Sequence, residues 1–203
     1  MNNKEEHNLF TLVSPQEFRE APKTLSTMKQ LALIFLILPM SFGFQLEEKL
    51  NGEITTYPTL STDQTNSLNV HNRARAQVGV KPVQWSNKLE REAQEYANFL
   101  ARTNQFKHSS QTSRKGAGEN LYWYSSTTEA PLTDASQSWY EEIEIYRYRA
   151  CCGNNFQNTG HYTQMVWSKT NKIGIASAVS ARGETYVVAR YNPSGNVRGR
   201  YPY

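Results

Sequence analysis

The sequence predicts an α/β layered domain behind an N-terminal extension, and three observations predict it. Segments 61–77 and 87–103 place apolar residues every three to four positions, as one-sided helices do. A third segment, starting at Thr133 or Asp134, puts Ala135, Trp139, Glu142 and Tyr146 on one helical face. Residues Asn171–Ser180 and Glu184–Tyr191 alternate apolar with small or polar residues around Ala181-Arg182-Gly183, the pattern of a β-hairpin.

The chain has 203 residues, enough for one domain and an extension. A domain of about 140 residues buries roughly 68% of its unfolded surface, so it builds a core without covalent staples. Residues 1–61 hold 5 of the 22 Lys/Arg and 7 of the 18 Asp/Glu, so the chain's net +4 becomes +6 over the remainder. A mildly basic domain suits anionic headgroups or polyanions. No Lys/Arg run is long enough to argue for nucleic acid. The two cysteines, Cys151 and Cys152, are adjacent, and neighbours rarely close a disulfide on each other, so no disulfide framework is expected. Three readings stand for them: unpaired thiols, pairing with another chain, and metal or redox work.

Residues 1–27 are polar without a sustained apolar period and read as a disordered extension. From Met28 to Gly43 the layout is that of a signal peptide: one Lys, an apolar centre at 31–38, then small residues Ser41 and Gly43. Its apolar run of about 14 residues is short for a bilayer span. Residues 44–61 read as a linker, with Asn51-Gly52 and Pro58 as turn signals. The domain proper is 62–203.

Ser61 with Gln64 three residues later forms a capping box, and the helix it opens ends near Gln77, before Gly79. Leu68, His71, Ala74 and Val78 share one face, so His71 points inward as a core histidine bonded to another segment. An extended link through Pro82 follows. Ser86 or Asn87 caps the next helix, whose stripe is Leu89, Ala93, Tyr96, Ala97 and Leu100. Phe106–Ser110 and Ser113–Gly118 read as loops. In Glu119–Tyr124 a glutamate enters aromatic surroundings, where burial raises a carboxyl's pKa unless a cation or metal offsets it. A salt bridge to a nearby Arg is the plainer account of Glu119. Ser125–Asp134 is a Ser/Thr/Pro-rich loop. On the following helix Glu142 points with Trp139 into the protein, and an inward carboxylate needs a partner, imidazoles being the available ones. Residues 151–155 form a loop and 197–203 a basic-aromatic tail without an assigned role.

Four stretches then share a family pattern: His71-Asn72-Arg73-Ala74-Arg75, Gly118-Glu119-Asn120-Leu121-Tyr122, Gly160-His161-Tyr162-Thr163-Gln164-Met165-Val166-Trp167, and Tyr191-Asn192-Pro193-Ser194-Gly195-Asn196. In this order the chain resembles the CAP superfamily of cysteine-rich secretory proteins, antigen 5 and pathogenesis-related proteins, over about Thr62 to Asn196, roughly two thirds of its length. Within it the resemblance points to the Golgi-associated plant pathogenesis-related branch, which is also poor in cysteine.

The resemblance implies a three-layer αβα sandwich with a central antiparallel sheet. It makes His-Asn-x-x-Arg at 71–75 a fold marker and places His108, Glu119, Glu142 and His161 at the family's cavity tetrad. Two imidazoles with carboxylates or water complete a tetrahedral zinc shell, so His108 and His161 are the expected metal ligands and zinc the expected ion, with Glu119 and Glu142 lining the cavity. No catalytic residue is assigned: neither His-Glu-x-x-His nor Gly-x-Ser-x-Gly occurs. The expected function is a secreted or membrane-associated lipid- or sterol-binding or defence-type module. The aromatic cluster Tyr122, Trp123, Tyr124, Trp139 and Tyr140 favours the lipid reading. A protein-interaction effector without lipid binding is the alternative, and a zinc-dependent peptidase the lesser one. Expected partners are lipids or sterols, an anionic membrane surface and a second copy of the chain as a homodimer; the ligand-binding residues stay unassigned. The expected location is extracellular, with Golgi or endomembrane as the alternative. Most secreted members carry several disulfides or a Cys-rich extension, and their lack here disfavours a venom-type or channel-regulating role.

Overall fold

The structure, a computed structural model, describes residues 59–152 and 158–203 in full and the backbone of 47–50 and 53–56. The expected extension (1–27) and signal-like segment (28–43) lie outside the described residues. Residues 45–203 form one compact unit. Where a linker is expected, the backbone instead forms an antiparallel pair, β1 (Glu47–Leu50) with β2 (Glu53–Thr56). The local sequence accounts for it: β-branched Ile54-Thr55-Thr56 favours a strand, and Asn51-Gly52 between the strands is a strong hairpin signal.

Helix α1 (Thr62–Gln77) begins with the capping box its sequence promises. The Ser61 hydroxyl accepts from the Gln64 amide at 3.2 Å, and the Gln64 side chain accepts from the Ser61 amide at 2.8 Å. Strand β3 (Gln84–Trp85) leads into α2 (Asn87–Thr103), capped by Ser86 and closed by Asn104 in the left-handed region at φ 50°. Gly118, read as the end of a loop, and residues 119–124, given no element from the sequence, form β4 (Gly118–Tyr124). Helix α3 (Pro131–Glu141) starts earlier than its apolar stripe suggests. Pro131 is preorganised for a first helical turn, and the missing local cap comes from α1: the Asp63 carboxylate accepts from the amides of Leu132 (3.0 Å) and Thr133 (2.9 Å). A 3₁₀ turn (Glu142–Glu144) follows, then short α4 (Gly160–Met165) and the hairpin β5 (Lys172–Val179) and β6 (Thr185–Asn192).

The main sheet runs β3-β5-β6-β4. Its three long strands are antiparallel; two-residue β3 joins β5 in parallel. One face carries α2, through Ala93, Ala97 and Leu100 on Leu121, Ala176, Tyr186 and Val188. The other carries α1, α3 and α4, with Val70, Ala135, Trp139 and Met165 on Ile173, Ile175, Val187 and Ala189. This is the αβα sandwich, and the period-two alternation along β6 divides Tyr186 and Val188 from Val187 and Ala189. Helix α2 lies directly on Gly174: a Cβ there would fall 2.1 Å from the Glu90 amide nitrogen.

Two expectations need correction. Cys151 and Cys152 are joined to each other, so the readings as unpaired thiols or as a link to another chain fall. The pair closes within a turn whose second member, Cys152, sits at φ 69°. The tail also has a structural role. The Cys151 amide donates to the Arg200 carbonyl (2.7 Å) and the Ser168 amide to that of Pro202 (2.7 Å), while Tyr148 packs on Tyr201 and Tyr203 at 5.1 and 5.0 Å between ring centroids.

Candidate functional site

Strand β4 lies at the sheet edge, and its alternation sends consecutive residues into opposite layers. Leu121 packs with the α2 layer and Tyr122 with the α1/α3 layer, so Glu119 shares the first side and Asn120 the second. Asn120 meets the core. Its Nδ2 donates to the Tyr191 hydroxyl oxygen at 3.0 Å and to the His161 carbonyl at 3.1 Å. The Tyr191 hydroxyl in turn sits 2.9 Å from Nε2 of His71, whose Nδ1 is 2.9 Å from the Ser67 carbonyl. A carbonyl only accepts, so Nδ1 bears the proton and Nε2 accepts from Tyr191. Complete burial drives His71 down to about 4, so it stays neutral. It is the bonded core histidine expected, tying α1 to β6 and β4.

The other marker residues are equally structural. Asn72 exchanges two hydrogen bonds with the Val83 backbone, accepting at 2.8 Å and donating at 3.2 Å. Arg75, 1% exposed, donates to four carbonyls: Lys81 (2.7 Å), Met165 and Trp167 (2.9 Å each) and Thr170 (2.7 Å). The bond to Met165 holds the last carbonyl of α4, the helix that carries His161. Burial lowers Arg75 to about 10, which leaves it charged at neutral pH.

On the α2 side, His108 from the α2–β4 loop places Nδ1 2.6 Å from Glu119 Oε1. Glu119 is saturated: it also accepts from the Ser109 amide (3.0 Å), the Ser109 hydroxyl (2.7 Å) and the Arg190 guanidinium. Glu119 and Arg190 face each other in the β4–β6 register. Burial pushes the Glu119 carboxyl up, but the His108 hydrogen bond, the Arg190 charge and the Ser109 bonds outweigh it and hold it below the ordinary value. The salt bridge to an arginine foreseen for Glu119 is thus present, and an imidazole joins it.

On the opposite side, Glu142 opens the 3₁₀ turn, accepting from Nδ1 of His161 at 2.6 Å and from the Tyr162 amide at 2.9 Å. His108 and His161 line one cleft of about 510 Å³, together with Glu119, Asn120, Gln164 and Asn196. Glu142 stands outside that lining and acts through His161. Gln164 is held in a slot of small residues: a Cβ on Gly118 would fall 2.3 Å from its Oε1 and one on Gly195 2.6 Å from its Nε2. The cleft therefore forms where the two layers meet at the sheet edge, one histidine contributed from each side.

The four expected residues come together as two imidazole–carboxylate pairs, not as a four-member shell. Both carboxylates are consumed by hydrogen bonds, and among the described residues no three His, Cys, Asp or Glu form a metal-holding group. Each imidazole donates through Nδ1, which leaves Nε2 without a protein partner among the described residues. A carboxylate on the far nitrogen is the usual support for a metal-ligating histidine. His108 and His161 are the residues that could hold a metal, with solvent completing the shell, while Glu119 and Glu142 are hydrogen-bonded to the rings.

Arg190, Ser109, Asn120 and Gln164 went unassigned from the sequence. A strand assignment for 118–124 would have exposed the Glu119–Arg190 register. The aromatic cluster divides: Trp139 is core, its indole donating to the Leu121 carbonyl at 3.1 Å, while Trp123 (42%) and Tyr124 (43%) stand exposed at the end of β4. Among the described residues no helix is long and apolar enough to cross a membrane.

Residues 68–191 match the family model described as "CAP: Cysteine-rich secretory protein family". The chain is 41% identical over 130 residues to Golgi-associated plant pathogenesis-related protein 1 of Homo sapiens, covering 64% of this chain and 82% of that protein. It is 39% identical over 140 residues to pathogenesis-related protein PRMS of Zea mays, covering 67% and 80%. A solved structure described as NaASP2 with Zn2+ matches with a TM-score of 0.63 at 28% identity, over 71% of this chain and 86% of that one.

Proposed function

On the premise that the chain belongs to the CAP family of cysteine-rich secretory and pathogenesis-related proteins, we propose that it is a secreted, defence-type binding module whose cleft takes a divalent metal through His108 and His161. The observation that carries this reading is the pairing of both imidazoles with carboxylates through Nδ1, at 2.6 Å each, on one shared cleft. Zinc suits two neutral imidazoles with water completing the shell. A relative whose structure is described with Zn2+ supports the choice of ion. When bound, the metal would supply a Lewis-acidic centre for an anionic or carbonyl-bearing ligand. The chain's own residues hold the two rings in one tautomer, through Glu119 and Glu142, and shape the wall with Gln164 and Asn196. The role proposed for the cleft is binding, with peptide hydrolysis as the alternative to be tested.

The finer reading is that the module takes a lipid or sterol, with Trp123 and Tyr124 as the exposed aromatic contact. The test is calorimetry on the full chain with zinc, then with a labelled sterol and a labelled fatty acid, each with zinc and with chelator. Zinc binding lost in the double variant His108→Ala/His161→Ala supports the metal site. Saturable lipid binding lost in Trp123→Ser/Tyr124→Ser supports the lipid reading. Zinc affinity unchanged in the double histidine variant overturns the metal site. Lipid binding absent under every condition overturns the lipid reading and leaves a protein-interaction module. Peptide hydrolysis that follows His161 would establish the peptidase alternative.

A further inference from the structure

A second cavity, of about 200 Å³, opens between the start of α2, the turn before β4 and the start of β5. Four cations line it, Lys88, Arg114, Lys115 and Lys172, against one carboxylate, Glu92. Among the described residues no carboxylate pairs with any of the three lysines. Arg114 reaches a carboxylate only at long range, 3.9 Å to Glu119, and its Nε–H is buried without a hydrogen-bond partner. Lys88, Lys115 and Lys172 are exposed, and four cations on one small cavity give it a positive potential that attracts an anion. The amino end of α2, a 17-residue helix, adds to the positive potential. At roughly 30 Å³ per water molecule the cavity has room for a single tetrahedral oxyanion and its solvation, and not for an extended chain.

We propose that this cavity binds a phosphate or sulfate group, with Lys88, Arg114, Lys115 and Lys172 supplying the charge. The site is independent of metal in the histidine cleft. The two cavities nevertheless share a wall, because Arg114 lines both. The same oxyanion chemistry comes from a free ion or from a lipid headgroup.

The experiment is calorimetric titration of the full chain at about 0.15 M ionic strength, where long-range surface charge is largely screened. Inorganic phosphate and inorganic sulfate are the free-ion arms. Phosphatidylcholine vesicles with and without phosphatidic acid are the headgroup arm. Saturable one-site binding is expected in at least one arm, and Lys115→Glu/Lys172→Glu should weaken it at least tenfold. Lys169→Glu/Arg200→Glu, an equal charge change at residues that line a different cavity, should alter it less than twofold. Circular dichroism confirms that both double variants fold. If Lys115→Glu/Lys172→Glu unfolds, Lys115→Gln/Lys172→Gln replaces it, with a fivefold loss expected. Equal weakening by both charge-reversing pairs would show a diffuse basic surface and overturn the proposal. So would the lack of saturable binding in every arm.

Discussion

Glu142 holds His161 by a 2.6 Å hydrogen bond to Nδ1 and is itself fixed by the Tyr162 amide at 2.9 Å. The ring is thereby committed to one tautomer, with Nε2 as its available ligand nitrogen. Partners of this kind typically contribute tenfold to a hundredfold in metal affinity. Glu142→Gln keeps an acceptor oxygen but loses the charge. Zinc affinity, read by competition with a chromophoric chelator, should fall by about that range. The unfolding midpoint should move only slightly. A Glu142→Gln protein that binds zinc as wild type does would remove Glu142 from the site.

Acid should destabilise the protein in two steps. His71 drops from its ordinary 6.5 to about 4 on burial, so below pH 6.5 the unfolded chain takes up a proton that the folded one refuses. Stability is fully present above pH 6.5 and declines down to about pH 4, by about 3 kcal/mol in total at 1.36 kcal/mol per unit. Glu119 is held below its ordinary 4.5, so its contribution is present above that value and is lost as pH falls further. Urea unfolding between pH 7.5 and 4 should show the first decline in the wild type. His71→Gln should be less stable at pH 7.5 but lack that decline; an equal slope in both would refute the assignment.

Arg75→Met should lower stability by at least about 3 kcal/mol, because it removes the guanidinium bonds to the buried carbonyls of Met165, Trp167 and Thr170. Met165 is the last residue of α4, so His161 should be affected as well. The checks are urea denaturation and the zinc titration. Wild-type stability would mean that solvent replaces the arginine freely.

Gly174→Ala and Gly183→Ala make a matched pair. The first adds a methyl 2.1 Å from the Glu90 amide, against the backbone of α2, and should cost about 3 kcal/mol. The second meets open space and suffers only from its φ of 80°, costing about 1 kcal/mol. Thermal unfolding should rank them in that order, and the reverse order would contradict the seating of α2.

The helices were legible because their signals are local. Ser61 and Gln64, three residues apart, write the start of α1, and the Ala93–Ala97–Leu100 stripe writes the buried face of α2. The β5–β6 hairpin was legible from alternation about a turn. Strand β4 was not, because Glu119 and Asn120 break its apolar pattern, and those breaks are the residues that build the site. The start of α3 was misjudged because its cap, Asp63, lies 69 residues before Leu132.

Helical phase pointed Glu142 inward, and the family resemblance set His108, Glu119 and His161 beside it. Neither said which carboxylate serves which imidazole, or that Arg190 would join Glu119. Those pairings span 11, 19 and 71 residues. They exist only once β4 has found its register on β6 and Arg75 has drawn α4 onto α1. Hydrogen-bond geometry is a matter of tenths of an ångström. Such precision comes from packed layers, whereas a sequence pattern specifies only the face on which each group will lie.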